Sequence, residues 1–542
     1  MAAHAACTLF FTIPTGDDPM KSIADIVERK PWIGWLLFVG TLVIVFLFGL
    51  FGASIVERRQ EAFITHQVAP IPEWEPRNEV WGRNFPRQYD SYRKTAQTDF
   101  ASRYAGSSRV DWLERHPEMV ILWAGYAFSR DYTQGRGHYY AIHDIRETLR
   151  TDVPQPGTCW TCKSTDVPRL MNEMGIEEFY ASTWNELGHE VVNHIGCQDC
   201  HDPATMNLRI TRPALIEAWE AMGKDITQAT HQEMRSLVCA QCHVEYYFQK
   251  EPKNYLKFPV DKGTTADAME AYLDEVGHVD WVHALSRAPM LKAQHPDFEL
   301  YTTGIHAQRG VSCADCHMPY RREGGVKFTD HHLASPLENI TNACQTCHRE
   351  SEETLRQDVY ARQDRIHELR RIVEPQLAQA HIEAKAAWDA GATSDEMQPV
   401  LTLLRHAQWR WDYVAAANGM GIHSPLEAAR ILGTSIDKTG EARRLLTRIL
   451  ARHGVTEPVE MPDLSTKAQA QEFVGLDMEV LHEKKEVFLQ TVVPQWIETA
   501  QAREAKMQPG ALYNKVGDEG YPGSGSARTD AVHPEHQSED SR

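Results

Sequence analysis

Five Cys-x-x-Cys pairs carry whatever chemistry this chain performs. Four are followed at once by histidine: Cys197–Cys200 by His201, Cys239–Cys242 by His243, Cys313–Cys316 by His317 and Cys344–Cys347 by His348. The first pair, Cys159–Cys162, is followed by Lys163. Cys-x-x-Cys-His is the attachment pattern of a c-type haem, with two thioethers to the porphyrin and the imidazole on iron. Structural zinc also uses Cys-x-x-Cys, but has no use for a histidine directly after every pair. Disulfides explain the trailing histidines no better. With 26 His in 542 residues, four of five arising by chance has odds on the order of 10⁻⁵. Five covalently bound haem c groups are therefore expected.

A haem iron tied by protein on both faces passes electrons, whereas one with an open face can bind substrate. Four motif histidines leave 22 of the 26 elsewhere in the chain, ample for a second ligand at four haems. Lysine is different, because its amine must lose a proton to bind iron, which burial beside a ferric centre enforces. The bland alternative puts Lys163 on the surface and an unrelated histidine on iron. A single departure in an otherwise uniform series argues against drift. Four haems are expected to relay electrons and the fifth, on Lys163, to do chemistry.

The elements that must position these motifs divide the chain into six stretches. Residues 1–31 form an N-terminal cytoplasmic segment, in which residues before Met20 are attributable to a misassigned start and Cys7 has no assignable role. No charged residue occurs from Pro31 to Val56. About 20 apolar residues span a bilayer, while a cleaved signal has an apolar core of only about 7–15. Residues 32–56 thus read as a transmembrane anchor, with signal cleavage near Ala53-Ser54 as the alternative. Basic residues flank both ends (Lys21, Arg29, Lys30; Arg58, Arg59) and barely decide orientation. Haem attachment outside the cytoplasm puts the bulk of the chain on the periplasmic side. Residues 57–80, with Pro70, Pro72 and Pro76, read as a linker.

Residues 81–352 form the haem-bearing catalytic domain. Its first cysteines stand 38, 42, 74 and 31 residues apart, which excludes a solenoid repeat. Strand signals are sparse, so the fold class is mainly α with little β structure. Residues 353–507 are a long-helix region. Glu353–Ala390 carries apolar positions Ile366, Leu369, Ile372 and Val373, with a kink expected at Pro375. A capping box at Thr393/Glu396 opens a helix with Val400, Leu404, Ala407, Trp411 and Val414 on one face, stopped at Asn418-Gly419. Ser424-Pro425 starts another, and Gln469–Met507 reads as a last long helix interrupted at Pro494. These helices suit a homodimer interface or packing on the chain's own haem domain. Residues 508–542, rich in Gly, Ser, Asp and Glu, read as a disordered tail. The net charge of −19 excludes nucleic acid as a partner and demands a locally positive site for any anion.

Several stretches closely resemble the ammonia-forming pentahaem cytochrome c nitrite reductases. They are Cys159-Trp-Thr-Cys162-Lys163, Cys239-Ala-Gln-Cys242-His243-Val-Glu245-Tyr246-Tyr-Phe and Pro289-Met-Leu-Lys292-Ala-Gln294-His295-Pro296. Arg136-Gly137-His138, Glu147-Thr-Leu-Arg150-Thr151, Thr329-Asp330-His331 and His406-Ala-Gln-Trp-Arg-Trp411-Asp join them. The likeness runs in matching order over roughly residues 75–505 and omits the anchor and the tail.

The resemblance implies dissimilatory reduction of nitrite to ammonium, six electrons and eight protons, at the lysine-ligated haem. It implies a pocket of Arg150, Tyr246 and His295. Arg150 would hold the anion, and His295 would hydrogen-bond a nitrite oxygen and relay protons near its ordinary pKa. Tyr246 would serve later intermediates. Distal ligands follow by position: His331 for the haem of Cys197/Cys200/His201, His138 for Cys239/Cys242/His243, His423 for Cys313/Cys316/His317 and His306 for Cys344/Cys347/His348. The choice of His331 over its neighbour His332 rests on the family's Thr-Asp-His. His406, among tryptophans, reads as a packed histidine. A Ca²⁺ site is implied at the Glu245 side chain, the Tyr246 and Lys292 main-chain carbonyls and the Gln294 side-chain oxygen, all hard oxygen donors. The implied partners are a membrane quinol-oxidising cytochrome c donor and a second copy of the chain. Hydroxylamine and sulfite are alternative substrates. A pure electron carrier with five saturated irons is the competing class, and carbon monoxide separates the two, since it binds only an open reduced haem.

Overall fold

The computed structural model describes residues 23–63, 67–104, 106–151 and 155–507. Cys7 and the tail from residue 508 lie outside them. The chain divides into a small unit ending at His66 and a large unit beginning at Gln67. The small unit holds one long helix, α1 (Pro31–Phe63). Its stretch Pro31–Ile55 is long and apolar enough to cross a membrane. Leu36, Val43, Phe46 and Phe51 are all exposed, as on a helix apolar all round. The helix continues to Phe63, into the stretch read as linker. From Gln67 the chain already belongs to the large unit: Ile71 and Val80 are buried, and buried Trp81 donates Nε1–H to the Glu75 carbonyl at 2.9 Å.

The large unit is mainly helical, with three two-stranded antiparallel sheets among the described residues. Up to Ala343 its elements are short. Those that matter for the site are α2 (Ala141–Glu147) and α3 (His231–Ala240), the latter opened by a Thr230/Glu233 capping box. β1 (Tyr247–Gln249) pairs with β2 (Tyr255–Lys257), β3 (Trp281–Val282) with β4 (Pro289–Met290), and β5 (Tyr320–Glu323) with β6 (Val326–Thr329).

Regular structure follows: α4 (Glu352–Asp389), α5 (Ser394–Ala416), α6 (Pro425–Arg452), α7 (Lys467–Phe473) and α8 (Met478–Glu504). The Thr393/Glu396 capping box is present. Val400, Leu404, Ala407, Trp411 and Val414 of α5 are all fully buried, as their spacing requires. On α4 the buried face is Ile366, Arg370, Val373, Leu377, Ala380 and Ala384. Ile372 is 47 % exposed, because the 3.6-residue period turns it away, and Arg370 takes the core position paired with Glu374 at 2.8 Å.

The interruption expected at Pro494 is absent, and Pro375 does not end its helix. α4 runs through Pro375 and α8 through Pro494. Each proline is exposed, so water satisfies the carbonyl that loses its partner. The last helical stretch is divided instead at Gly475, whose φ of +78° suits the residue after a helix end.

Candidate active site

Each motif sits at a helical turn. Cys197–Cys200 and Cys313–His317 are single turns, α3 delivers Cys239, and Cys159 lies in a 3₁₀ turn, Gly157–Trp160. A turn puts the first and second cysteine on one side with the next residue projecting beside them. In two motifs the residue before the second cysteine is an aspartate that closes the turn: Asp199 accepts from Gly196 N at 2.8 Å and Asp315 from Ser312 N at 2.7 Å. The ten cysteines are unbridged. Cys162 touches Cys242, and Cys239 touches Cys313, so the first motif adjoins the third and the third adjoins the fourth.

A buried guanidinium straps the first two motifs together. Arg212, with no exposure, donates to the Thr161 carbonyl at 2.8 Å, the Ser164 carbonyl at 2.9 Å and Asp199 Oδ1 at 2.6 Å. Gln241, inside the third motif, donates to the Asp199 carbonyl at 2.7 Å and accepts from Thr211 N at 3.0 Å. Sequence reasoning missed both residues, since a lone arginine next to Pro213 gives no sign of burial.

Four imidazole pairs stand opposite one another in the large unit. His138 and His243, His201 and His331, His317 and His423, and His306 and His348 each have ring centres 6.3 Å apart. Two metal–imidazole bonds of about 2 Å, each extended by about 1.1 Å from nitrogen to ring centre, reach about 6.2 Å. The spacing fits an iron between each pair. Burial, followed by the facing imidazole, pushes His138 down to about 3, while burial and the same facing effect take His331 and His317 down to about 4. That is the neutral form a metal needs. Of the adjacent candidates, His331 faces His201. His406 instead hydrogen-bonds Asp274 at 2.6 Å.

Around the first motif the three pocket residues converge. Arg150 is close enough to Cys159 to favour its thiolate, Tyr246 is close to Cys162 and Cys159, and His295 is close to Lys163. Arg150 follows α2, accepted at Nε by Thr148 Oγ1 at 3.1 Å, with its guanidinium 4.3 Å from the Phe128 ring. Tyr126, stacked on Trp281 at 4.7 Å, lies near Arg150 and Cys159 as well. Burial, then Lys163, pushes His295 down to about 3. The resemblance implied a value near the ordinary one; burial and Lys163 instead favour its neutral form.

The loop carrying His295 holds the oxygen donors. Glu245 is 1 % exposed and its Oε2 accepts from Gln294 N at 2.6 Å. The Gln294 side-chain amide comes within 3.4 Å of the Lys292 carbonyl. The Lys292 ammonium is turned away onto Asp412, at 2.9 and 3.0 Å. Glu299 Oε1 accepts from Glu245 N at 3.0 Å, while its Oε2 is buried without a partner. Burial pushes Glu245 well up and Glu299 up to about 8. Two buried carboxylates, one with an unpartnered oxygen, beside the Lys292 carbonyl fit a hard divalent cation. The cluster His116, Glu118 and Glu374 is different, because Arg370 and Arg371 already neutralise it.

Short helices around paired histidines, with little β structure, define a multihaem cytochrome c. Residues 77–507 match the cytochrome c552 family. Over 484 residues the chain is 58 % identical to cytochrome c-552 of Bacteroides thetaiotaomicron, covering 88 % of this chain and 98 % of that protein. Cytochrome c-552 of Aliarcobacter butzleri is 44 % identical over 499 residues, covering 89 % and 97 %. A cytochrome c nitrite reductase from Desulfovibrio desulfuricans, whose catalytic subunit is described with two calcium sites, superposes with a TM-score of 0.67. It is 32 % identical over 76 % of this chain and 90 % of that one. The chain belongs to the cytochrome c552 family, and within it to the cytochrome c nitrite reductases.

Proposed function

We propose that the chain reduces nitrite to ammonium, NO₂⁻ + 8 H⁺ + 6 e⁻ → NH₄⁺ + 2 H₂O, at the haem of Cys159 and Cys162 with Lys163 on its iron. One observation carries this: four imidazole pairs share a 6.3 Å spacing, while the fifth motif ends in lysine and is ringed by Arg150, Tyr246 and His295. His201/His331, His243/His138, His317/His423 and His348/His306 would each hold a relay haem. The haem held there would supply a Lewis-acidic iron for nitrite and a route for electrons.

The residues around that iron do the rest. The Arg150 guanidinium, fixed by Thr148 and the Phe128 ring, holds the anion that a net charge of −19 otherwise repels. His295 donates its N–H to a nitrite oxygen and orients the N–O bond that breaks. Tyr246, kept neutral by burial, retains an O–H to donate to later, less oxidised nitrogen species. Glu245, Gln294 and the Tyr246 and Lys292 carbonyls would hold Ca²⁺, which ties the Tyr246 and His295 segments to one point.

Residues 32–56 of α1 would anchor the enzyme, with residues 1–31 in the cytoplasm, 57–66 leading away, and the large unit with its catalytic domain 81–352 on the periplasmic face. Residues 353–507 would form a homodimer contact and residues 508–542 a solvated tail. A membrane quinol-oxidising cytochrome c would supply electrons.

Ammonium yield from nitrite with a reduced viologen dye tests the reaction. Stoichiometric ammonium is expected, whereas release of hydroxylamine or nitric oxide overturns it. Lys163→His is expected to keep the haem attached, to change the spectrum of that iron and to lower kcat by about tenfold or more. Unchanged kinetics would remove Lys163 from iron.

A further inference from the structure

One buried carboxylate lies between ligands of two different imidazole pairs. Asp297 is 7 % exposed. Its Oδ2 faces His243 Nδ1 at 3.5 Å and its Oδ1 faces His423 Nδ1 at 3.6 Å. Those distances are long for hydrogen bonds, yet well inside the reach of a full charge in a buried setting. His423 Nδ1 is buried and has no hydrogen-bond partner of its own. Asp297 is itself gripped, accepting Asn418 N at 2.7 Å and Asn418 Nδ2 at 2.8 Å.

The surrounding backbone holds the same geometry. Phe298 N donates to the His243 carbonyl at 3.0 Å, and Asp297 N to the His295 carbonyl at 2.7 Å. Gly304 packs so closely on the His423 carbonyl that a Cβ there would stand 2.1 Å from it. Three other paired histidines are oriented differently. His201 Nδ1 meets the Met206 carbonyl at 2.9 Å, His317 the Ala334 carbonyl at 3.1 Å and His331 the Thr329 carbonyl at 2.7 Å. Three ligands therefore have neutral partners, whereas His243 and His423 share an anion. An anion at the outer nitrogen makes an imidazole a stronger donor and favours the oxidised metal.

We propose that Asp297 is a shared positioning residue for two relay centres, lowering together the reduction potentials of the haems of Cys239/Cys242 and Cys313/Cys316. This rests on the histidine pairs holding haem. The two motifs are adjacent through Cys239 and Cys313, and the first of them adjoins the lysine motif through Cys242 and Cys162. Asp297 thus acts on the centre that adjoins the lysine motif and on one neighbour of that centre.

The test is a potentiometric titration of the whole enzyme followed optically and by electron paramagnetic resonance, preceded by a haem count. Asp297→Asn is expected to move two of the five reduction steps upward and leave three in place. Asn418→Ala removes a donor that competes for Asp297 Oδ2, and is expected to move at least one of the same two steps downward. It keeps the test decisive should the first variant fail to mature. No shift, a shift of one step only in Asp297→Asn, or a uniform shift of all five overturns the inference. A wild-type haem count below five, or fewer than four low-spin bis-imidazole signals, overturns the haem-pair assignment beneath it and the inference with it. A full count with unmoved steps overturns this inference alone.

Discussion

Residues 67–350 and residues 352–504 are held together in different ways. The second stretch is ordinary helix packing, in which α4, α5 and α6 bury Val373, Leu377, Val400, Leu404, Leu432 and Leu446 completely. The first has short helices and is tied by buried polar side chains reaching backbone groups. Arg212 and Gln241 are two examples. Asp166 is another, accepting from Val192 N and Asn193 N, each at 2.8 Å. A region built of short helices cannot bury one continuous helical face. Its backbone groups must find partners elsewhere, and unpartnered ones cost several kcal/mol each when buried.

The sharpest test of that contrast is Arg212→Met. It strands Asp199 and two carbonyls, and is expected to cost about 3–5 kcal/mol. The readout is loss of haem-loaded soluble protein, with Arg212→Lys recovering only part because one ammonium cannot reach all three acceptors. Leu446→Ala in the helical region is expected to cost about 2–5 kcal/mol as well, seen in thermal unfolding. Here the haem spectrum and nitrite turnover should stay unchanged. A changed spectrum would break the separation between the two regions.

Acid should act on the helical region through His381. Burial holds it at about 4, against an ordinary 6.5, and it stacks on His283 at 3.7 Å while bonding Ser286 and Gln408. Between those values the unfolded chain binds the extra proton, so stability falls as pH drops from 6.5 towards 4, by about 3 kcal/mol for this group. His381→Asn is expected to flatten that part of the stability profile. The smallest effect is at the start of α5, where Thr393→Ala removes an acceptor from Glu396 N and should cost about 1 kcal/mol without touching activity.

Helical periodicity was legible where apolar packing dominates, as on α5. It failed at Ile372, where Arg370 with Glu374 displaced an aliphatic side chain from the core, and at Pro494, where an exposed proline did not interrupt the helix. In the front region the motifs themselves were legible, because attachment chemistry is local: both cysteines and the next residue lie within one turn. The straps were not, since Arg212, Gln241 and Asp297 acquire meaning only from groups brought to them by folding.

By itself the sequence determined the number of attachment motifs, the odd lysine, the apolar helix and the capped helices, all of which depend on residues within a turn or two of one another. Tertiary structure alone set the common 6.3 Å spacing of the imidazole pairs that the resemblance implied, across separations such as His138 to His243 or His317 to His423. It also set His331, the residue that the family's Thr-Asp-His implied, opposite His201, and brought His295 close to Lys163. Facing distance and desolvation are properties of space, and a chain acquires them only when distant segments are packed together.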